Sequence, residues 1–92
     1  KARIEGPIAM DVALSKEAAN RKGLQSQIAG QVDGLLVPEI TVGNEVLKAM
    51  IYLANAKIGG VVVGAQAPII LLSRADNPVQ KICSIALASY LS

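Results

Sequence analysis

Two short apolar runs, each closed by glycine or proline, constrain the fold of this chain more than any other feature. Residues 34–38 have the sequence Gly-Leu-Leu-Val-Pro, and residues 58–64 have the sequence Ile-Gly-Gly-Val-Val-Val-Gly. Continuous apolar runs of this length are typical of strands that are buried on both faces of a parallel sheet. We therefore expect two buried strands.

A segment with helical periodicity separates the two runs. Thr41 is a suitable N-terminal cap for it, and Asn55 marks the end of the pattern. A helix between two buried strands makes a β-α-β unit, so we expect an α/β protein with a parallel sheet. The apolar face of this helix is expected to consist of Val46, Leu47, Met50, Ile51 and Ala54.

The N-terminal part of the chain predicts a shorter helix. Residues 3–10 favour a weak strand, and Asp11 then opens a polar turn. Ser15 can cap a helix that continues to Lys22, because its hydroxyl can accept a backbone N–H of the first turn. Gly23 can adopt the left-handed conformation that commonly ends a helix.

The C-terminal part predicts a strand, a polar loop and a last helix. Residues 69–72 form a short apolar run and are expected to be the third strand. Asn77 can cap the helix, Pro78 suits its first position, and Gln80 lies where the partner of a capping box is found. We expect this helix to end near Leu91.

The chain is more apolar than is usual for a lone small domain. Of its 92 residues, 52% are hydrophobic and 17% are charged. A folded chain of this size buries only about 60% of the surface that its unfolded form exposes. We therefore expect it to pack against further protein, as a piece of a larger body.

Charge and composition argue against several classes of function. The net charge is +2, and the basic residues are scattered singly, which argues against a nucleic-acid partner. Histidine is absent and Cys83 is the sole cysteine, so neither a disulfide framework nor a zinc site of histidine or paired cysteine can form. With no membrane-spanning run and no recognisable signal segment, we expect a cytoplasmic location.

Two segments have the composition of an anion site. In α/β sheets, ligands bind beyond the carboxyl ends of the strands, near helix N-termini. In the first segment, Gly43 lets the backbone approach an anion, Asn44 can donate a hydrogen bond, and Lys48 lies one helical turn further on. The alternative is an ordinary capped helix start with a solvated lysine.

The second segment, residues 73–77, is a loop in front of the last helix. It offers the Ser73 hydroxyl, the Arg74 guanidinium and the Asp76 carboxylate. An arginine in this position can hold a phosphate through two parallel hydrogen bonds. The alternative is a solvated loop in which Arg74 pairs with Asp76.

Six short motifs span nearly the whole chain in a characteristic order. They are residues 6–11 (Gly-Pro-Ile-Ala-Met-Asp), 29–30 (Ala-Gly), 37–40 (Val-Pro-Glu-Ile), 43–44 (Gly-Asn) with Lys48, 64–68 (Gly-Ala-Gln-Ala-Pro) and 73–76 (Ser-Arg-Ala-Asp). Together they resemble the C-terminal third of the phosphate acetyl/butyryltransferase family, and its butyryl branch most closely. The resemblance implies a two-domain fold like that of isocitrate and isopropylmalate dehydrogenases. This segment would contribute to both domains, with the active site in the cleft between them.

The resemblance also implies an activity: exchange of an acyl group between coenzyme A and inorganic phosphate, giving acyl phosphate and CoA. Ser73 would hydrogen-bond the CoA sulfur, and Arg74 would hold phosphate and stabilise developing negative charge. Gly43, Asn44 and Lys48 would bind substrate or phosphate. The family needs no metal and no cofactor beyond CoA as a substrate, and its members commonly form homodimers.

Two positions depart from the acetyl branch. That branch has an aspartate, the expected base for the thiol, seven residues after the serine, where this chain has Gln80. The base is then Asp76 or a group outside this segment, or the thiol ionises without a base. The acetyl branch also has an arginine four residues after the helix lysine, where this chain has Tyr52. This second departure favours a butyryl or branched short-chain substrate.

Two other functions are compatible with these residues. One is a fatty-acyl phosphate synthase that acts on acyl-carrier protein. The other is a non-catalytic ligand-binding domain that kept the fold, for which Gln80 is the best indication. A preference for acyl-CoA over acyl-carrier protein separates the two enzymes, and turnover by the intact protein separates an enzyme from a binding domain.

Overall fold

Four helices make up the regular structure of this computed structural model, which describes residues 1–92. They are α1 (Met10–Leu14), α2 (Lys16–Arg21), α3 (Ile40–Ala54) and α4 (Pro78–Leu91). The chain divides into two compact units, Lys1–Val37 with α1 and α2, and Pro38–Ser92 with α3 and α4. None of the helices has the length and apolar character needed to cross a membrane.

The first unit confirms the predicted Ser15 helix. The Ser15 hydroxyl accepts the N–H of Ala18 at 3.2 Å, and Gly23 follows the helix with a φ of 68°. The prediction of a polar turn at Asp11 was wrong, because α1 occupies this position with Asp11 in its first turn. The strand predicted over residues 3–10 does not form, since these residues pair with no other strand. A small core of Val12, Ala19 and Ala29 joins α1, α2 and the following turn.

Two carboxylates hold the first unit together at its surface. Glu5 accepts the Ser26 hydroxyl at 2.7 Å and the Gln27 N–H at 2.9 Å, and these donors hold its pKa below the usual range. Asp11 lies 2.7 Å from the Lys22 ammonium, whose hydrogen bond lowers the pKa of this carboxyl group. The coil residues on either side of α1 and α2 are thereby tied to the same unit.

The two long helices belong to the second unit. Helix α4 has the predicted bounds and a complete capping box: Asn77 Oδ1 accepts the Gln80 N–H, and Gln80 Oε1 accepts the Asn77 N–H, both at 2.9 Å. The prediction that Thr41 caps α3 was wrong. The Gly43 N–H donates to the Glu39 carbonyl at 3.3 Å, which makes Glu39 the cap residue and places Thr41 inside the helix.

The predicted strands form no sheet within this chain. The only β pairing is an isolated antiparallel bridge, in which Val62 and Ile69 exchange N–H···O bonds of 2.8 and 3.4 Å. The prediction that the runs at residues 34–38 and 58–64 are buried is wrong for the chain by itself, since Leu36 and Val63 are exposed. A strand needs the N–H and C=O groups of a neighbour, and residues 1–92 supply none beside residues 35–37. The parallel β-α-β sheet stays a prediction.

The second unit leaves much of its apolar surface in contact with solvent. No residue of α3 is buried, and α4 buries only Gln80, Ser84 and Ala88. The expected apolar face of α3 therefore has no covering layer in this chain. Large exposed apolar surfaces on folded proteins mark contacts with other protein.

One close approach inside the second unit is well defined. The Gly60 N–H donates to the Ser84 hydroxyl oxygen at 3.0 Å, and that hydroxyl donates to the Gln80 carbonyl at 3.0 Å. A Cβ atom on Gly59 would lie 2.9 Å from both the carbonyl carbon and the carbonyl oxygen of Cys83. Residues 59–60 therefore pack directly on the backbone of α4, which only glycine at position 59 permits.

We predict that Gly59→Ala destabilises the full-length protein by about 1–3 kcal/mol, because the added methyl group overlaps helix backbone that cannot move aside cheaply. Gly60→Ala is the matched control, since a Cβ atom there meets nothing within 4 Å. Urea denaturation of both variants measures the difference. Equal stability of the two variants would show that α4 and residues 59–60 do not approach this closely.

Candidate functional site

A cleft of about 290 Å³ lies within the second unit. Its walls are α3, the extended residues around Gly60, residues 71–76 and the first two turns of α4. The side chains and backbone that line it come from Asn44, Leu47, Lys48, Ile58, Gly60, Leu71, Ser73, Asp76, Gln80 and Ser84. Polar groups from two helices and one loop thus converge on one space.

Four of the six residues predicted to form the site lie along this cleft: Asn44, Lys48, Ser73 and Asp76. The other two, Gly43 and Arg74, are not among the lining residues, although each is the chain neighbour of one that is. The structure therefore brings together the two segments that the sequence analysis selected separately.

The loop before α4 is fixed by its own hydrogen bonds. Asp76 Oδ2 accepts the Ser73 N–H at 2.8 Å, and the Asp76 N–H donates to the Ser73 carbonyl at 3.1 Å. The Ser73 hydroxyl oxygen accepts the Ala75 N–H at 3.3 Å, which leaves the hydroxyl hydrogen available to a ligand. This closed turn orients one free carboxylate oxygen and one hydroxyl donor.

The basic side chains of the site have no carboxylate partners. The alternative in which Arg74 pairs with Asp76 is not found, because the two salt bridges of the structure are Arg21–Glu17 and Lys22–Asp11. Arg74 is exposed and Lys48 is half-buried. Both cations are therefore available to an anion from solution.

Two further polar residues line the cleft, Gln80 and Ser84, and neither was among the predicted site residues. Gln80 was expected to complete the capping box and was noted as a departure from the acetyl branch, and Ser84 was not selected. Both are almost fully buried, with 6% and 4% of their surfaces exposed. Their spacing of four residues places them on one helix face, one turn beyond the Ser73 loop, and this spacing was the available signal.

The balance of donors and acceptors in the cleft favours an anionic ligand. The Lys48 ammonium, the Asn44 amide and the Ser73 hydroxyl can all donate, whereas Asp76 is the only carboxylate among the lining residues. The N-terminal turn of α4 adds the positive end of a helix dipole. The structure holds no group of three histidine, cysteine or acidic side chains with the spacing of a metal site.

A larger hollow of about 400 Å³ lies in the first unit, beside α2 and the turn that follows it. It is lined by Lys16, Ala19, Asn20, Leu24, Gln25, Ser26, Gln27 and Ala29. None of the predicted site residues is among them. The smaller cleft is therefore the candidate site, because four of the six predicted residues line it.

The fold and the cleft define a class: a segment with two long helices and a donor-rich cleft beside a helix N-terminus. Comparison with protein families makes this specific, because residues 1–89 match the family described as phosphate acetyl/butaryl transferase. The chain belongs to this family, and the resemblance found in the sequence is confirmed.

Individual relatives agree with this placement. The chain is 45% identical to the phosphate butyryltransferase of Clostridium acetobutylicum over 89 residues, which are 97% of this chain and 30% of that protein. It is 43% identical to the phosphate acetyltransferase of Thermotoga maritima over 86 residues, 94% of this chain and 29% of that protein. The chain therefore spans about a third of the length of these relatives.

A solved structure shows the same fold. The crystal structure of a branched-chain phosphotransacylase from Enterococcus faecalis matches with a TM-score of 0.82 and 39% sequence identity. The match covers 91% of this chain and 32% of that protein. The arrangement of helices and extended segments described above is thus that of a phosphotransacylase segment, which is consistent with an α/β fold.

We predict that phosphate or sulfate soaked into crystals of the full-length protein occupies the cleft, between the Ser73–Arg74 turn and the first half of α3. The free donors of Lys48, Asn44 and Ser73 would hold it. Anomalous scattering from a heavier analogue such as selenate would locate the ion. Anions bound only elsewhere would remove the main support for this site.

Proposed function

We propose that the protein containing this chain is a phosphate acyltransferase, which converts acyl-CoA and inorganic phosphate into acyl phosphate and CoA. The observation that carries the proposal is the cleft, where Ser73 and Asp76 of a hydrogen-bonded turn line the same space as the unpaired cation Lys48, and Arg74 is the chain neighbour of Ser73. The family and the named relatives support the same reaction.

The chemistry of the cleft suits each step. A phosphate oxygen attacks the thioester carbonyl carbon, the new C–O bond forms, and the C–S bond breaks to release CoA as a thiolate. Arg74 would grip the phosphate with two parallel N–H donors, and the Ser73 hydroxyl would donate to the leaving sulfur. Asn44, Lys48 and the backbone at Gly43 would hold the remaining phosphate oxygens.

The thiol group of CoA needs a base only in the reverse direction. Asp76 can fill this role, because Oδ2 is occupied by the Ser73 N–H while its second oxygen remains free. There are two other possibilities: a group outside this segment is the base, or the thiol ionises without a base. No cofactor beyond CoA itself enters the scheme.

We propose a butyryl or branched short-chain acyl group as the substrate. Identities of 45% to a butyryltransferase and 43% to an acetyltransferase do not separate the two branches. Tyr52 in place of the arginine of the acetyl branch supports the longer acyl group, as does the likeness to a branched-chain phosphotransacylase. A fatty-acyl phosphate synthase would instead prefer acyl-carrier protein, which a comparison of the two acyl donors tests.

We further propose that this chain contributes to both domains of a cytoplasmic, two-domain homo-oligomer with a parallel sheet. Its division into two compact units supports this, together with the share of the relatives that it spans. The exposed apolar surface and the extended segments without partners also call for further protein. The rest of the enzyme would supply the missing strands.

The 92-residue chain by itself is expected to have no transferase activity, because it lacks most of the protein that would exclude water and bind the acyl group. The assay follows release of CoA thiol from butyryl-CoA with and without phosphate. The full-length protein is the control. Robust phosphate-dependent turnover by the short chain would contradict the proposed division of the enzyme.

In the full-length protein, Arg74→Lys is expected to lower kcat by about 10²–10³-fold, with a smaller effect on the KM for acyl-CoA. Lysine keeps the charge but loses the planar fork that matches phosphate. Arg21→Lys is the matched control, since Arg21 is an exposed arginine of the first unit that bonds Glu17. Near-normal turnover of Arg74→Lys would contradict the proposed role of the Arg74 guanidinium in holding phosphate.

A further inference from the structure

The Ser84 hydroxyl joins two walls of the cleft. The residue is almost fully buried, with 4% of its surface exposed. Its oxygen accepts the Gly60 N–H at 3.0 Å, and its hydrogen is donated to the Gln80 carbonyl, also at 3.0 Å. A serine inside a helix commonly donates to the carbonyl four residues earlier, so the second bond is a local one. The bond from Gly60 is different, because it joins residues that are 24 positions apart in the sequence.

The Gly60–Ser84 bond is the sole hydrogen bond between two parts of the second unit. Every other hydrogen bond of this unit lies either within residues 38–60 or within residues 61–92. Helices α3 and α4 do not pack directly against each other. The relative position of the two parts therefore depends strongly on this bond and on the packing of Gly59 against the helix backbone beside it.

The two parts carry the two segments of the candidate site. Asn44 and Lys48 lie on α3 in the first part, whereas the Ser73 turn precedes α4 in the second. The connection from α3 to the bond ends in two successive glycines, and glycine adopts more backbone conformations than any other residue. Without a fixed partner, this connection would let the two segments move relative to each other.

We propose that Ser84 is a positioning residue, whose hydroxyl fixes the spacing between α3 and the Ser73 turn so that one anion reaches the donors of both. It acts through the Gly60 backbone and not on the ligand, because its only hydrogen is already donated within α4. The choice of phosphate as that anion rests on the proposed function. A preset spacing reduces the conformational entropy that is lost when the anion binds, and it therefore raises affinity.

Three variants of the full-length protein isolate the hydroxyl. Ser84→Ala removes the bond, whereas Ser84→Thr keeps a hydroxyl that can bond the same carbonyl inside a helix. Ser92→Ala is the matched control, since the Ser92 hydroxyl donates to the Ser89 carbonyl at the far end of α4 and has no bond to residues 58–60. Should Ser84→Ala fail to fold, Ser84→Cys fills the same space with a thiol that hydrogen-bonds only weakly.

Hydrogen exchange tests the bond itself. We expect the backbone amides of residues 58–60 to lose protection in Ser84→Ala and to keep it in Ser84→Thr and Ser92→Ala, because an amide exchanges faster when its acceptor is removed. Unchanged protection of these amides in Ser84→Ala would overturn the proposal and leave the proposed reaction unaffected.

Equilibrium titration with inorganic phosphate tests the positioning. We expect Ser84→Ala to raise the dissociation constant by about 3- to 10-fold, the effect of losing one hydrogen bond. Ser84→Thr and Ser92→Ala should change it by less than about 2-fold. A serine with a structural role alone would leave the affinity of the folded protein unchanged, and the melting temperature of each variant shows that it is folded.

A double-mutant cycle with Lys48→Met separates positioning from general loosening. Methionine has a similar length to lysine but carries no charge. If Ser84 acts by holding the α3 donors in place, Ser84→Ala should reduce affinity by less than about 2-fold once Lys48 is replaced, whereas independent sites would show the full loss again.

Additive losses in this cycle, wild-type phosphate affinity of Ser84→Ala, or a wild-type protein that binds no phosphate would overturn the proposal. Binding needs no turnover. Coupled losses in a protein that binds phosphate but transfers no acyl group would therefore refute the proposed reaction and leave the role of Ser84 standing.

Discussion

The cleft depends on the capping box in the first turn of α4. The reciprocal bonds between Asn77 and Gln80 start the helix and hold the Gln80 amide in one orientation. One turn later, Ser84 binds the Gly60 N–H, and Gly59 lies against the backbone of the same helix. Two walls of the cleft are therefore anchored to the first half of one helix, whose dipole favours an anion at its N-terminal end.

The hydrogen-bonding needs of the predicted strands support the proposal that this chain is one part of a larger protein. Backbone N–H and C=O groups of a buried strand must be paired, yet the 92 residues contain a single antiparallel bridge. The apolar side chains of these segments and of α3 face solvent in the same way. Packing against protein that residues 1–92 do not supply would pair these backbone groups and bury these side chains.

Local signals in the sequence predicted the structure well where neighbours within four residues decide it. The caps at Ser15 and Asn77 and the stop at Gly23 are of this kind, because each depends on one side chain or one backbone conformation. The prediction of where α3 begins was wrong, because the hydrogen bond from the Gly43 N–H to the Glu39 carbonyl involves only backbone atoms and has no distinctive signal in the sequence. The parallel sheet stays a prediction, because strand pairing depends on distant residues.

The same distinction applies to the candidate site. The loop at Ser73 and the helix start at Asn44 were found because their residue types suit an anion at a helix N-terminus. That the two segments share one cleft follows from the approach of residues 58–60 to α4, which no local pattern encodes. Gln80 was noted for its capping box and as a departure from the acetyl branch, and its place along the cleft is seen only in the structure.

The central claim is that this cleft belongs to an enzyme that moves an acyl group from CoA to phosphate. The most direct measurement incubates the full-length protein with butyryl-CoA and isotopically labelled inorganic phosphate, and then quantifies labelled acyl phosphate and free CoA thiol. The account predicts equimolar amounts of the two products, both dependent on phosphate. Release of thiol without labelled acyl phosphate, or no release at all, would contradict it.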